Sequence, residues 1–378
     1  MMKTYKLCYA FMALLIICCS KSDNETEVGG STEKGIDSDY TLLVDENGTL
    51  SGKLLNANGT SIEVGSENSG FDTTTKPQLT FENEGLLSMY LKKSNCSGSV
   101  VIHDFKNKAS DTYAVFEDIA SCDLTANAIA HNVDKIYIAY DMETEAMNNN
   151  YFVRVIDIST DVPSPVDVEL DQKPVDLAYA NNRLFILTID ENSSQDYKLF
   201  VIDAATLSIV HEMELGLDVK KIFKNPEGNI IIGYSNLHTT LNSSTMAFAF
   251  TNYGENTEPN FFDSRFRHFD TSGKMYYEMP PGSNSIYPVV AAIYDFDKNN
   301  TVLYAFENFL TETQRNFEYE IDRTTLVGFD EKNEILLIGY SKSDESGEGG
   351  LLRIKIGTEP KLVDNLDLSG IPYALFID

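Results

Sequence analysis

Short apolar runs alternate with polar turns along this chain, and amphipathic helical periodicity is scarce beyond residue 39. The stretch Lys173–Leu215 shows the pattern and reads KPVDLAYANNRLFILTIDENSSQDYKLFVIDAATLSIVHEMEL. It contains four runs rich in β-branched and aromatic residues, namely VDLAYA, RLFILTI, YKLFVID and SIVHEMEL. Asn181 and Asn182 separate the first two, and asparagine tolerates the positive φ angles of a tight hairpin turn. The stretch therefore predicts four consecutive antiparallel strands.

The same plan recurs on both sides of this stretch. ANAIAHNVDKIYIAYD, YFVRVIDIST and PVDVEL precede it, whereas LDVKKIFKNPEGNIIIGYS and TMAFAFTNY follow it. Equivalent second-strand positions recur 48 and 46 residues apart, at Ile138, Ile186 and Ile232. Equivalent third-strand positions are predicted every 46 residues, at Ile156, Ile202 and Phe248. Further copies occur near the C-terminus, in TTLVGFDEKNEILLIGYS, and near the start, in PQLTFENEGLLSMYLK.

A period of about 40–50 residues with four short strands per unit is typical of a β-propeller. Each four-stranded blade buries its faces against neighbouring blades, and residues 39–378 accommodate seven such units. Residues 262–322 fit the repeat poorly, so six or eight blades remain alternatives, as do an open sandwich and a β-solenoid. The chain ends in IPYALFID, which matches a first, innermost strand, while DYTLLVDENGTLSGKLLN near residue 40 lacks one. We therefore expect strands from both termini to share one blade and close the ring.

The N-terminal residues have the pattern of a secretory signal. Lys3 and Lys6 precede an apolar stretch, Leu7–Ile17, that is too short to span a bilayer as a helix. The following IICC resembles the lipobox of bacterial lipoproteins, and CSKSDNE resembles the N-termini of Bacteroidetes-type lipoproteins. The resemblance implies that residues 1–18 are removed and that Cys19 is acylated, with palmitate or a similar chain. Cys18 as the acylated residue, or an ordinary secretory signal, are the alternatives.

Residues 19–38 are rich in Ser, Gly, Asp and Glu and are predicted to form a flexible acidic tether. The propeller domain is then expected to occupy residues 39–378. By the same resemblance the protein is anchored to the outer membrane by its lipid. Surface exposure is the expected orientation, and the periplasmic face is the alternative.

The balance of acidic and basic residues indicates which classes of partner to expect. The chain has 29 basic and 58 acidic side chains and a net charge of −29, which becomes −31 without Lys3 and Lys6. No basic stripe exists to neutralise phosphates, so nucleic acid is not an expected partner. In an oxidising compartment the remaining cysteines, Cys96 and Cys122, are expected to form a disulfide, although two free thiols are the alternative.

Motifs of catalysis, of cofactor binding and of metal binding are absent from the sequence. DFDKNN, residues 295–300, matches the first ligand positions of an EF-hand loop but lacks the later ones, so a hairpin turn is predicted there. DEKNE, residues 330–334, is predicted to be a turn of the same kind. Each of the five histidines falls in a different unit. His131 is the best placed of them, because it ends an inner strand near the predicted axis.

The region that breaks the repeat is the most suggestive one for binding. Twelve of the 49 residues from Phe248 to Phe296 are Phe or Tyr, and RFRH brings together two of the seven arginines of the chain. Arginine suits carboxylate or phosphate recognition, and aromatic rings supply apolar walls. A pocket for an anionic or aromatic ligand would use Arg265, Arg267, His268, Tyr276 and Tyr277. The alternative is an irregular blade with a larger aromatic core and arginines bonded to nearby acids.

These features favour a lipid-anchored, non-enzymatic propeller that binds a ligand or docks a protein. Similar anchored propellers accompany outer-membrane transporters, so a transporter or another envelope protein is an expected partner, by analogy alone. Two alternatives stay open: a propeller-type hydrolase or lyase acting on polysaccharide, and a structural surface scaffold.

Overall fold

Seven antiparallel sheets make up the fold, which is therefore a seven-bladed β-propeller. The computed structural model describes residues 37–94, 97–119, 123–143, 149–160, 164–191, 195–255, 257–261, 264–343 and 347–377. The compact unit that contains the propeller comprises residues 36–378. The prediction of an all-β propeller with seven blades is confirmed.

Each blade runs from an inner strand at the axis to an outer strand at the rim. Blade 1 consists of β1 (Ser38–Glu46), β2 (Thr49–Ala57), β3 (Ile62–Val64), the short β4 (Thr74–Thr75) beside β2, and the C-terminal β29 (Ile371–Ile377) as inner strand. Blade 2 consists of β5 (Leu79–Asn83), β6 (Leu86–Ser94), β7 (Ser97–Asp104) and β8 (Ala109–Val115). Blade 3 consists of β9 (Leu124–His131), β10 (Lys135–Glu143), β11 (Asn149–Asp157) and β12 (Pro165–Leu170).

The remaining blades follow in chain order. Blade 4 consists of β13 (Lys173–Ala180), β14 (Arg183–Ile189), β15 (Tyr197–Asp203) and β16 (Ile209–Gly216). Blade 5 consists of β17 (Val219–Lys224), β18 (Ile230–Tyr234), β19 (Leu237–Leu241) and β20 (Phe248–Asn252). Blade 6 consists of β21 (His268–Phe269), β22 (Met275–Met279), β23 (Val290–Asp295) and β24 (Asn300–Tyr304). Blade 7 consists of β25 (Ile321–Asp330), β26 (Ile335–Lys342), β27 (Gly349–Lys355) and β28 (Lys361–Leu368).

The hydrophobic core lies between the blades. Seven apolar clusters occur among the described residues, and each joins two neighbouring blades. The second strand of a blade is buried on both faces because a neighbour packs on each side, which explains why Ile138, Ile186 and Ile232 are fully buried. Outer strands such as β16 and β20 contain only exposed and partly buried positions. The repeat in the sequence is therefore a repeat of inter-blade packing.

Both termini contribute to blade 1, as predicted. β29 pairs antiparallel with β1, from Tyr40 opposite Ile377 to Asp45 opposite Ile371. β1 continues the sheet through β2. Since the inner strand comes from the end of the chain, the ring is closed by hydrogen bonds between residues far apart in sequence.

One predicted strand position is wrong. Phe248 was aligned with Ile156 and Ile202 as a third-strand residue, but it lies in β20, the outer strand of blade 5. The third strand is β19, whose polar sequence LHTTL resembles a loop although His238 and Thr239 are buried in it. Phe248 and Phe250 are consequently 51% and 63% exposed.

Insertions explain why residues 262–322 fit the repeat poorly. Blade 6 has a two-residue inner strand, a loop with a 3₁₀ helix (Gly282–Asn284) between β22 and β23, and a 3₁₀ helix (Phe306–Asn308) with a π-helical turn (Gln314–Glu318) before β25. The predicted hairpin turns at residues 295–300 and 330–334 are confirmed, because they join β23 to β24 and β25 to β26. Asn181 and Asn182 have φ angles of 48° and 56°, as their hairpin requires.

Several predictions fall on residues outside the described part of the chain. These are the acylation of Cys19, the signal and tether, and the disulfide between Cys96 and Cys122. Within the described part, no helix combines the length and the apolar character needed to cross a membrane.

Candidate functional site

A pocket of about 320 Å³ lies at the axis, where the inner strands converge. Blades 2 to 5 line it with β5, β9, β13 and β17, and the segment 265–267 before β21 adds the blade 6 wall. The volume is at the lower end of the roughly 300–1,000 Å³ found for ligand pockets. The axial pocket is therefore suited to a small ligand.

Arg267 projects from the blade 6 segment towards blade 5. Its guanidinium carbon lies 4.7 Å from the centre of the Phe223 ring, and Nη2 donates a 3.0 Å hydrogen bond to the Ser264 carbonyl oxygen. The buried Nε has no hydrogen-bond partner among the described residues. Burial lowers the pKa of this guanidinium, although the negative charges of Asp176 and Glu278 counteract the effect. Arg267 is thus a cation with an unused donor in a confined space.

Arg265 reaches the other way, towards blade 1. Its guanidinium carbon lies 4.3 Å from the centre of the Tyr373 ring, on the inner strand β29. Its backbone nitrogen donates a 3.1 Å hydrogen bond to Oε1 of the buried Glu278. Burial raises the pKa of the Glu278 carboxyl to about 7. The backbone of the RFRH segment is thus held by a carboxyl group, while the Arg265 side chain remains exposed to the pocket.

The two lysines of the pocket are occupied by other partners. Lys221 Nζ lies 3.3 Å from Asp176 Oδ1, and Asp176 Oδ2 also accepts a 3.1 Å hydrogen bond from the Ile222 backbone nitrogen. Lys224 Nζ donates a 2.6 Å hydrogen bond to Asn83 Oδ1 and lies 3.6 Å from Glu84 Oε1. Since Lys224 belongs to blade 5 and Asn83 to blade 2, this contact crosses the channel. It braces the end of the pocket where the inner strands finish.

Glu82 is the remaining carboxylate of the pocket lining. Its side chain is exposed to the pocket, and no hydrogen bond or salt bridge to it occurs among the described residues. The surrounding walls limit its hydration, and this desolvation raises the pKa of the Glu82 carboxyl to about 7. An acid with a perturbed pKa in a cleft is a typical feature of a functional site.

Two arginines outside the pocket show how this chain uses guanidinium groups for stability. Arg154 is 2% exposed and forms paired hydrogen bonds with Asp118 and Asp167, and Arg353 does the same with Asp364. Within the described chain, neither Arg265 nor Arg267 forms a salt bridge. Their guanidinium groups are held over aromatic rings instead, so that their charge is left for a ligand.

Apolar rings complete the walls. Phe81, Phe223, Phe266 and Phe269 line the pocket together with Tyr179. They separate the charged groups and lower the local dielectric, which strengthens electrostatic attraction inside the pocket. The walls are therefore partly aromatic, and only Phe266 and Phe269 come from the aromatic segment that the sequence singled out.

The other ligand-binding residues predicted in this region do not line the axial pocket. Tyr276 is buried and donates a 2.9 Å hydrogen bond to Asp270, and Tyr277 is buried and donates a 2.6 Å hydrogen bond to the Pro259 carbonyl oxygen. His268 lies on β21, and burial lowers the pKa of its imidazole. A role for these three side chains in binding stays a prediction, and our proposals do not use them.

His131 is also removed from the pocket. It is fully buried between blades 2 and 3, with Nδ1 2.9 Å from Ser88 Oγ and its ring edge-on to Phe81. Burial lowers the pKa of the imidazole to about 4, and the positive charge of Lys224 adds to the effect. The arrangement is that of a neutral core histidine.

Sequence reasoning missed Glu82, Asp176, Lys221 and Lys224. Each lies in or next to an inner strand that the repeat had already identified. Charged residues are unexpected on strands that face an axis, and aligning the inner strands would have revealed them. The missed signal was thus the position of these charges within the repeat.

A larger depression of about 580 Å³ lies between blades 6 and 7, but several of its charged groups already have partners. Lys298 pairs with Asp295, Asp270 accepts hydrogen bonds from Tyr276 and the Lys274 backbone, and Glu331 accepts from Thr271. No cluster of three or more His, Cys, Asp or Glu side chains among the described residues has the geometry of a metal site. The axial pocket is consequently the better candidate for binding.

Comparison with known proteins shows similarity in fold alone. No protein-family profile and no curated protein sequence matches the chain. Among solved structures, a puromycin-hydrolysing peptidase from Mycobacterium tuberculosis is 9% identical, with a TM-score of 0.46, over 89% of this chain and 54% of the peptidase. TolB from Acinetobacter baumannii is 12% identical, with a TM-score of 0.41, over 89% of this chain and 82% of TolB.

A protein of unknown function from Bacteroides caccae is 10% identical, with a TM-score of 0.40, over 77% of this chain and 97% of that protein. Similarities this low carry no argument about activity. Function has to be inferred from the pocket itself.

Proposed function

We propose that this protein is a non-enzymatic binding protein that captures a small anionic ligand in the axial pocket through Arg265 and Arg267. One observation carries the proposal: two guanidinium groups without a carboxylate partner in the described chain share a pocket, in a protein whose net charge is −29. The unused Nε donor of Arg267 points to the same conclusion.

The physical basis is preorganisation. Tyr373 and Phe223 hold the two guanidinium groups, so little side-chain entropy remains to be lost on binding. Charge-assisted hydrogen bonds from arginine to carboxylate or phosphate are strong and directional. Lys224 braces one end of the pocket, and the two arginines are cations of the lining without a carboxylate partner in the described chain, an arrangement that fits the capture of an anion.

The N-terminal sequence supports a proposal for where this binding occurs. We propose that Cys19 is acylated and that residues 19–38 tether the propeller to the outer membrane. A ligand captured in the axial pocket would then be held at the cell envelope, where a transporter or another envelope protein could receive it.

The proposal is tested by calorimetric titration of the protein without its signal peptide. The probes are benzoate, 3-phenylpropanoate and inorganic phosphate, at low and at high salt. We expect at least one probe to bind to the unmodified protein and to lose about tenfold or more in affinity in the double variant Arg265→Ala and Arg267→Ala, since each charged hydrogen bond contributes about 1.5–3 kcal/mol.

Arg323→Ala is the matched control, because Arg323 is an arginine outside the pocket that pairs with Asp322. Far-ultraviolet circular dichroism and thermal melting establish that the variants are folded. If none of the anions binds, or if the double variant and the control bind alike, the proposed function is wrong.

A further inference from the structure

Some charged groups of the axial pocket have a partner within the described chain, and others do not. Lys221 pairs with Asp176, and Lys224 pairs with Glu84 and Asn83. Once these partners are matched, three charged groups of the lining remain: the guanidinium groups of Arg265 and Arg267 and the carboxyl group of Glu82. No salt bridge within the described chain joins Glu82 to either arginine. The pocket therefore presents two kinds of recognition group to a ligand.

Glu82 and Arg267 lie on different sides of the pocket, whereas Arg265 reaches Tyr373 of blade 1, the neighbour of blade 2. Glu82 belongs to blade 2, whereas Arg267 lies over Phe223 of blade 5, three blades away around the ring. Three blades is the largest separation that a ring of seven allows. Between them, the lining consists mainly of apolar residues, among them Ala128, Ile129 and Leu177.

We propose that the ligand is dipolar: its anionic group binds Arg265 and Arg267, and its ammonium group binds Glu82. This inference rests on the proposed function and assigns the chemical class of its ligand. Free amino acids, ω-amino acids and short peptides carry both groups and fit a pocket of about 320 Å³.

A structural role does not explain Glu82. A carboxyl group with a structural role is normally held by hydrogen bonds or by a cation. The neighbouring Asn83 has both kinds of partner, because it donates to the His131 carbonyl oxygen and accepts from Lys224. Glu82, whose side chain is exposed in the pocket lining, has neither among the described residues. A ligand ammonium group would supply the missing cation.

The test uses pairs of probes that differ only in the amino group. L-phenylalanine is compared with 3-phenylpropanoate, and γ-aminobutyrate with butanoate, by calorimetric titration at pH 8. We expect at least one amino member to bind about tenfold or more tightly than its partner without the amino group, as a charge-assisted hydrogen bond implies. In Glu82→Gln this difference should disappear, while the probe without the amino group binds as in the unmodified protein.

Glu191→Gln is the matched control, since Glu191 is an exposed carboxylate of blade 4 that pairs with Lys173. The control should keep the full difference between the paired probes. If neither pair shows a difference, or if the difference survives in Glu82→Gln, the dipolar ligand is ruled out. Tighter binding of the probes without the amino group would show instead that Glu82 acts as a protonated donor, and would also overturn the inference.

Failure of this inference is distinguishable from failure of the proposed function. In one outcome, the double variant Arg265→Ala and Arg267→Ala weakens the binding of 3-phenylpropanoate or butanoate, but the amino group makes no difference to affinity. The anion site is then retained and the role of Glu82 is rejected. Insensitivity of all four probes to the double variant rejects the anion site itself.

Discussion

The hydroxyl group of Tyr40 donates a 2.7 Å hydrogen bond to Oδ2 of Asp330, and so joins the first strand of the chain to the inner strand of blade 7. Ser38 and Asn333 donate to the same oxygen, at 2.9 and 2.8 Å. Burial opposes ionisation of Asp330, but these hydrogen bonds outweigh it and hold the pKa of the carboxyl below its usual range. Ring closure thus rests on a buried, ionised carboxylate as well as on the pairing of β1 with β29.

Tyr40→Phe should weaken this closure. Loss of one hydrogen bond to a charged group is expected to lower the free energy of unfolding by about 1.5–3 kcal/mol. Urea unfolding at pH 7 measures the change. Tyr197→Phe, at a partly exposed tyrosine of β15, is the control and should change stability little. Equal effects of the two substitutions would show that the bond to Asp330 does not hold the ring closed.

The buried histidines should make the protein sensitive to acid. Burial lowers the pKa values of His131 and His238 to about 4, from an ordinary value of 6.5. Between these values the unfolded chain binds more protons than the folded one, so this contribution to stability is lost as the pH falls from 6.5 to 4. Each histidine is expected to contribute about 3 kcal/mol to the loss.

Substitution of one histidine isolates the effect from that of Glu82 and Glu278, whose raised pKa values act in the opposite direction. In His131→Gln, the free energy of unfolding should fall less steeply between pH 7 and pH 4 than in the unmodified protein. His211→Gln, on the outer strand β16, should leave the slope unchanged. If the free energy of unfolding changes with pH in the same way in all three proteins, His131 is not buried in its neutral form.

Binding of an amino-bearing ligand should depend on pH through Glu82. Its carboxyl group has a pKa of about 7, and only the ionised form attracts an ammonium group. Affinity for L-phenylalanine is therefore expected to rise from pH 6 to pH 8, while that for 3-phenylpropanoate stays level or falls. The other charged groups of the pocket are Glu84, Asp176, Lys221, Lys224, Arg265 and Arg267.

Glu82→Gln provides the control for this pH dependence, because the amide does not titrate. The rise for L-phenylalanine should be absent in this variant. A rise of equal size with and without Glu82 would assign the dependence to another group.

Acylation of Cys19 can be tested by partitioning into detergent. Cys19→Ala should move the protein from the detergent phase of a Triton X-114 extract into the aqueous phase, since the acyl chain supplies the membrane affinity. Cys18→Ala is the matched control and should remain in the detergent phase. Anchoring through Cys19 is rejected if both variants partition like the unmodified protein, and the reverse result would assign the lipid to Cys18.

Local patterns made much of this fold predictable. The strands of blade 4 follow directly from their apolar alternation, and Asn181 and Asn182 mark the first hairpin. Ring closure was also predictable, because IPYALFID matches an inner strand and the other strands of its blade do not follow it in the sequence. β19 escaped prediction because buried Thr and His side chains look polar when their neighbours in space are unknown.

The sequence by itself determined the repeat, favoured seven blades over six or eight, and singled out Arg265 and Arg267. Only the tertiary structure decided that these arginines line one pocket with Glu82, that Lys224 reaches Asn83 across the channel, and that Tyr276, Tyr277 and His131 belong to the core. The physical reason is the difference between local and ring-wide order. Strand periodicity repeats within each unit, whereas the axis brings together residues such as Glu82 and Arg267 that no local pattern relates.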